Sequence, residues 1–148
     1  MKERLFEGLV SELITPFHKD GSIDFPLLGE LIDFQLANGV GHFFVNGLGG
    51  ESHELSFEER VEVLETFVEH CKGKAKLMVC VFVSTVFEGK RLMDMYAGKG
   101  ADAYCFTAPP LFTYTQEGLY DFTSQLLKYT DLPAYIYNCR EMGTQYSP

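Results

Sequence analysis

The sequence has no tryptophan, no pair of cysteines at redox or zinc spacing, and no apolar run near the roughly 20 residues that a membrane-spanning helix needs. Lysine and arginine number 12 against 21 aspartates and glutamates, for a formal net charge of -9, and they nowhere cluster. An acidic chain without a basic run repels a phosphate backbone, so nucleic acid is excluded as a partner. Cys71, Cys80, Cys105 and Cys139 are widely separated, as are His18, His42, His53 and His70, so no metal centre follows from their spacing. Buried free thiols in a reducing compartment are the expectation. The opening, Met1 to Glu7, is charged and lacks a signal-peptide apolar segment. What is present, 46% hydrophobic and 22% charged residues, is the balance of a globular protein. It is expected to be soluble and cytoplasmic, with no membrane partner.

Short apolar runs alternate with longer segments of helical period. Leu9 to Thr15 reads as a strand ended by Pro16, and Lys19-Asp20-Gly21-Ser22 as a turn. Asp24 is placed to cap a helix carrying Leu27, Leu28, Leu31, Ile32 and Gln35 on one face, stopped by Asn38-Gly39. Phe43-Phe44-Val45 has the wholly apolar character of a strand covered on both faces. A glycine-rich turn, Gly47-Leu48-Gly49-Gly50-Glu51, leads to a capping box of Ser56 and Glu59 and a helix expected to bury Phe57, Val61, Leu64, Val68 and Cys71. Leu77 to Val83, Ala103 to Thr107 and Ala134 to Tyr137 read as further strands, with helices over Gly89 to Lys99 and from Thr115 to near Asp131. Such alternation means parallel strands joined by right-handed crossovers. An open doubly wound sheet and a (β/α)-barrel both fit; a complete barrel takes about 250 residues.

Several stretches carry a resemblance. Thr15-Pro16-Phe17 with Asp20-Gly21 and Asp24, then Gly47-Leu48-Gly49-Gly50-Glu51-Ser52 with Leu55-Ser56 and Glu58-Glu59-Arg60, resemble the opening and second-strand signature of the dihydrodipicolinate synthase/N-acetylneuraminate lyase family, the pyruvate-dependent class I aldolases. Gly100-Ala101-Asp102, the Pro109 region with Thr115 to Leu119, and Leu132-Pro133 leading to Tyr137-Asn138 follow in the same order and spacing. The resemblance covers essentially all 148 residues. It implies an α/β fold of the TIM (β/α)8 barrel family, with about five N-terminal βα units here. Residues 1–148 are then the N-terminal part of one barrel domain, its C-terminal strands absent. It further implies a homo-oligomer (dimer or tetramer), no cofactor, and lyase chemistry on pyruvate or another small-molecule 2-oxo acid. In that chemistry a lysine forms a Schiff base with the keto carbon and the protonated imine takes up electrons as a C–C bond forms or breaks. That lysine falls on the sixth strand, some two dozen residues beyond Asn138 and outside this sequence.

Tyr137 ends the fifth strand, on the side where barrel active sites are built. By pattern alone it is either a core tyrosine or a functional one; the resemblance makes it the proton shuttle. Gly47, Leu48, Gly49 and Gly50 read either as a tight turn needing positive φ or as a nest of amides for the substrate carboxylate, and the resemblance favours the nest. Leu48 and Gly49 stand where dihydrodipicolinate synthases carry two threonines, Pro110 and Leu111 where many relatives pair tyrosines, and Met142 where a substrate-binding arginine sits. The G-G-E form of the turn is nearer the sugar-acid aldolases. Glu51 reads as a residue that caps or orients the turn, and Glu58-Glu59-Arg60 as a solvated first helical turn. Lys72, Lys74, Lys76, Lys90 and Lys99 end no strand and read as surface charges. Five unclosed strands leave two sheet edges. The chain is accordingly expected to be a piece of a longer enzyme, a subunit completed by a partner chain, or a non-catalytic relative that binds a 2-oxo acid.

Overall fold

The computed structural model describes residues 5–147; part of the charged opening, residues 1–4, lies outside them. Five parallel strands, β1 (Ser11–Glu12), β2 (His42–Val45), β3 (Lys76–Val81), β4 (Ala103–Thr107) and β5 (Ala134–Tyr137), form one sheet in the order β1-β2-β3-β4-β5. Helices α1 (Phe25–Ala37), α2 (Phe57–Cys71), α3 (Val86–Tyr96) and α4 (Gln116–Leu127) connect them. Strand order decides between the two architectures that pattern left open. A doubly wound sheet reverses direction at a switch point, whereas strands that follow one another in chain order wind in the barrel sense.

Local chemistry sets the helix ends. Ser56 Oγ accepts from the Glu59 amide at 3.2 Å while Glu59 Oε2 accepts from the Ser56 amide at 2.8 Å, the capping box expected there. Thr85 and Glu88 form a second such box, so α3 starts three residues before the expected Gly89. Asp24 caps α1 through the Leu27 amide at 3.0 Å, and Gly39 follows with φ +86°.

The buried stripes are rotated from the expected ones. On α1, Leu28, Gly29 and Ile32 are buried, but Leu27 is 42% exposed. A β-carbon at Gly29 would collide with the His70 imidazole, so this glycine brings α1 against α2, turning Leu27 outward. On α2, Val63, Leu64, Phe67 and Cys71 are buried, while Phe57, Val61 and Val68 pack along the margin. β1 is shorter than Leu9 to Thr15 because it pairs on one side only.

The main core lies between sheet and helices, with Ile32, Phe43, Leu64, Val79, Leu92, Phe106 and Leu126 at its centre. A smaller cluster of Phe6, Met78, Ala103 and Cys105 lies on the other, inner face, flanked by Val10, Phe44, Tyr135 and Tyr137. Because side chains alternate along a strand, β4 sends Tyr104 and Phe106 to the helices and Cys105 inward.

Candidate active site

With all strands parallel, the turn after β2 and the last residue of β5 stand on the same rim. The turn starts at buried Asn46, held in the left-handed region at φ 60°; its side-chain amide donates to the Arg60 carbonyl at 2.8 Å and to the Tyr96 hydroxyl at 2.9 Å. Asparagine tolerates that conformation better than most residues. Gly47, Gly49 and Gly50 do not adopt positive φ. Their lack of side chains serves close approach instead. A β-carbon at Gly47 would collide with Glu12 Oε1 and the Phe44 ring, and one at Gly49 would lie 3.0 Å from the Glu12 carboxyl carbon.

The amides of Gly49 and Gly50 donate to Glu12 Oε1 at 2.9 Å and 3.4 Å. The turn is therefore an anion-holding nest, and its occupant is a carboxylate from β1. Burial raises the Glu12 carboxyl above its ordinary range, partly offset by the two amide bonds. Thr15 Oγ1 donates to the Gly50 carbonyl at 2.6 Å and fixes the turn from below. Glu51, expected to cap or orient the turn, makes no side-chain capping bond; it contributes backbone with φ 54°.

Tyr137 and Glu12 line one groove of about 300 Å³ on the inner face, with Val10, Phe44, Met78, Cys105, Tyr135 and Ile136. The Tyr137 ring meets Phe44 edge-on, centroids 5.3 Å apart. Burial, the adjacent Cys139 and the Glu12 charge push its phenol up to about 12, so at neutral pH it is a hydrogen-bond donor rather than a base. Neighbouring Asn138 is turned to the chain itself, accepting from the Tyr146 amide and donating to its carbonyl, both at 3.0 Å.

Leu48 points elsewhere. It lines a second cavity of about 620 Å³ between the strand-to-helix loops, with His53, Phe57, Arg60, Phe82 and Leu111 among its walls. The structure thus brings Gly47, Gly49, Gly50 and Tyr137 to one rim and sends the Leu48 side chain behind it.

Two residues escaped the sequence reading. Glu12 is an acid inside an apolar strand, and that mismatch was its only signal. Arg60, expected to be solvated, is 6% exposed: Nη1 donates to the Phe82 carbonyl at 2.7 Å, Nε to the Leu55 carbonyl at 3.2 Å, and the guanidinium lies 5.2 Å from the Phe57 ring centroid. Carbonyls from the loop after β3 and the loop before α2, absent from a helical-wheel reading, hold it there. The lysines are peripheral as expected where the structure pairs them: Lys76, at the opposite end of β3, donates to Asp102 at 2.9 Å and Lys99 pairs with Glu65. Among the described residues no helix is long and apolar enough to cross a membrane.

Comparisons with known proteins agree with this layout. The model of the Dihydrodipicolinate synthetase family matches residues 5–146. A 4-hydroxy-tetrahydrodipicolinate synthase from Hydrogenobaculum sp. is 34% identical over 134 residues, 90% of this chain and 46% of that protein. The crystal structure of dihydrodipicolinate synthase from Aquifex aeolicus superposes with a TM-score of 0.89 at 33% identity, covering 96% of this chain and 48% of that one. A prophage protein of the same family from E. coli K12, solved in complex with pyruvate, also gives 0.89, at 26% identity and 96% and 48% coverage. The chain spans about half the length of the relatives it matches.

Proposed function

Since the chain belongs to the dihydrodipicolinate synthetase family of TIM-barrel lyases, we propose that it contributes one half of the rim of a Schiff-base active site that acts on pyruvate or a related 2-oxo acid. The observation that carries this reading is Glu12, which accepts from the amide nest and lines the same groove as Tyr137, at the C-terminal ends of parallel strands. The nest suits a carboxylate, and a small 2-oxo acid fits a groove of about 300 Å³. Tyr137, protonated at neutral pH, is suited to donate to the oxygen that leaves the keto carbon as water when an amine adds and the iminium forms. The iminium is itself the electron sink, so the chemistry asks for no cofactor.

On this reading the nucleophilic lysine comes from the strands that close the barrel, in keeping with the absence of a lysine at the C-terminal end of any strand among the described residues. The working assembly is read as a cytoplasmic homo-oligomer. The same observation favours a second reading, a non-catalytic 2-oxo-acid-binding relative. Borohydride reduction in the presence of pyruvate, followed by intact-mass measurement, separates the two. A pyruvate-derived adduct is expected when the chain is expressed with the rest of its reading frame or with its partner subunit. Absence of any adduct in every such preparation removes the lyase reading, and saturable pyruvate uptake by calorimetry then leaves the binding one.

A further inference from the structure

The turn amides already hold an anion, and it comes from the chain itself. We propose that the Glu12 carboxylate is a tethered occupant of the rim's carboxylate site, which an incoming 2-oxo acid must displace to reach the amides of Gly49 and Gly50. The proposal rests on the reading of the turn as a carboxylate site given above.

Three independent features support it. First, Glu12 Oε1 accepts both amides, the contacts that a bound carboxylate would make. Second, the space that the glycines leave open is the space Glu12 fills, since β-carbons at Gly47 and Gly49 would run into its carboxyl group. Third, Glu12 is the only aspartate, glutamate, lysine or arginine among the eight residues that line the groove, and it forms no ion pair with a lysine, arginine or histidine among the described residues. No counter-ion locks it in place, while its charge opposes a second anion in the same groove. An external carboxylate therefore meets both competition for the amides and like-charge repulsion.

Protonation relieves both obstacles. The titratable groups facing Glu12 are the thiols of Cys80 and Cys105 from β3 and β4 and the Tyr137 phenol from β5, with Cys139 just beyond it; β2 presents Phe44 and the turn presents amides. Cys80, Cys105 and Tyr137 are all shifted upward and stay neutral at neutral pH, so Glu12 is the group that changes charge as the medium acidifies. A 2-oxo acid keeps its charge there, and the site opens to it as pH falls through the raised Glu12 value.

Nitrogen-15 NMR of the full chain tests this through the Gly49 and Gly50 amide resonances, in the wild type, Glu12→Gln and Glu12→Ala. Both resonances should titrate in the wild type, with a carboxyl midpoint above that of an ordinary glutamate, and should lose that transition in Glu12→Gln. At pH 7, added pyruvate or acetate should move them in the variants at a concentration about tenfold or more below that needed in the wild type, the scale set by one charge-assisted contact. Equal sensitivity of wild type and variants overturns the proposal. So do amides that ignore the Glu12 titration, or that respond to neither carboxylate in either variant. A response to acetate without one to pyruvate keeps the tethered occupant and removes the 2-oxo-acid reading instead. Because Glu12→Gln preserves shape, it decides the matter even if Glu12→Ala does not fold.

Discussion

The two faces of the sheet follow opposite rules. Toward the helices, Phe43, Val79, Val81 and Phe106 are sealed under α1 to α4, and the packing is almost wholly apolar. Toward the inside, Phe44, Tyr135 and Tyr137 are only half-buried, and a carboxylate sits among them. One strand serves both faces by alternation, so adjacent residues such as Phe43 and Phe44 belong to different environments. The closed core lies on one face and the candidate site on the other.

Truncating each face in turn gives the largest test. Phe106→Ala should lose about 3–5 kcal/mol in urea unfolding, as expected for a large aromatic removed from a closed core. Phe44→Ala should lose clearly less, and equal losses would erase the distinction. Next comes the junction at the rim. Asn46→Gly keeps the left-handed backbone comfortable but strips the donor from the Arg60 carbonyl and the Tyr96 hydroxyl. The expected cost is about 1–3 kcal/mol for groups left unpaired. An unchanged unfolding midpoint would mean that water replaces the asparagine.

Smaller effects belong to the inner face. A carboxyl raised by burial holds its proton longer in the native chain than in the unfolded one, so its contribution to stability falls as pH rises through the window above 4.5. The stability of Glu12→Gln relative to wild type, followed by urea unfolding from mildly acidic to neutral pH, should therefore shift in favour of the variant. The opposite drift would put the two amide bonds ahead of desolvation. Finally, carbon-13 labelling of tyrosine side chains should show Tyr137 still as the phenol at pH 10, near the midpoint of an ordinary tyrosine, with its signal assigned by Tyr137→Phe. Ionisation of Tyr137 alongside exposed tyrosines would show that its surroundings are wetter than the groove suggests.

Features set by neighbours in sequence were legible without coordinates. The limits of β4 and β5, the Ser56–Glu59 capping box and the Asp24 cap depend on a few adjacent residues, and each was found where expected. The family likeness placed the glycine turn and Tyr137 on one rim. Features set across long separations were not legible. Glu12 meets Gly49 across 37 positions, and Arg60 reaches Phe82 across 22, so neither partnership leaves a periodic trace. The rotation of α1 belongs to the same class, since it depends on where the His70 ring of another helix comes to rest. For the glycine turn, the favoured alternative, amides left open to a carboxylate rather than a backbone needing positive φ, matches the geometry, but the carboxylate that occupies them, Glu12 of β1, was not foreseen.

Phe6 has a bearing on traffic. Its ring lies 5.4 Å from that of His42 and 5.7 Å from that of Tyr135, beside Ala103, at the ends where the strands begin. It stoppers the inner face from beneath. In a sheet closed into a barrel, a small molecule headed for Glu12 and Tyr137 would thereby be left the loop side as its door, the side on which the glycine amides stand.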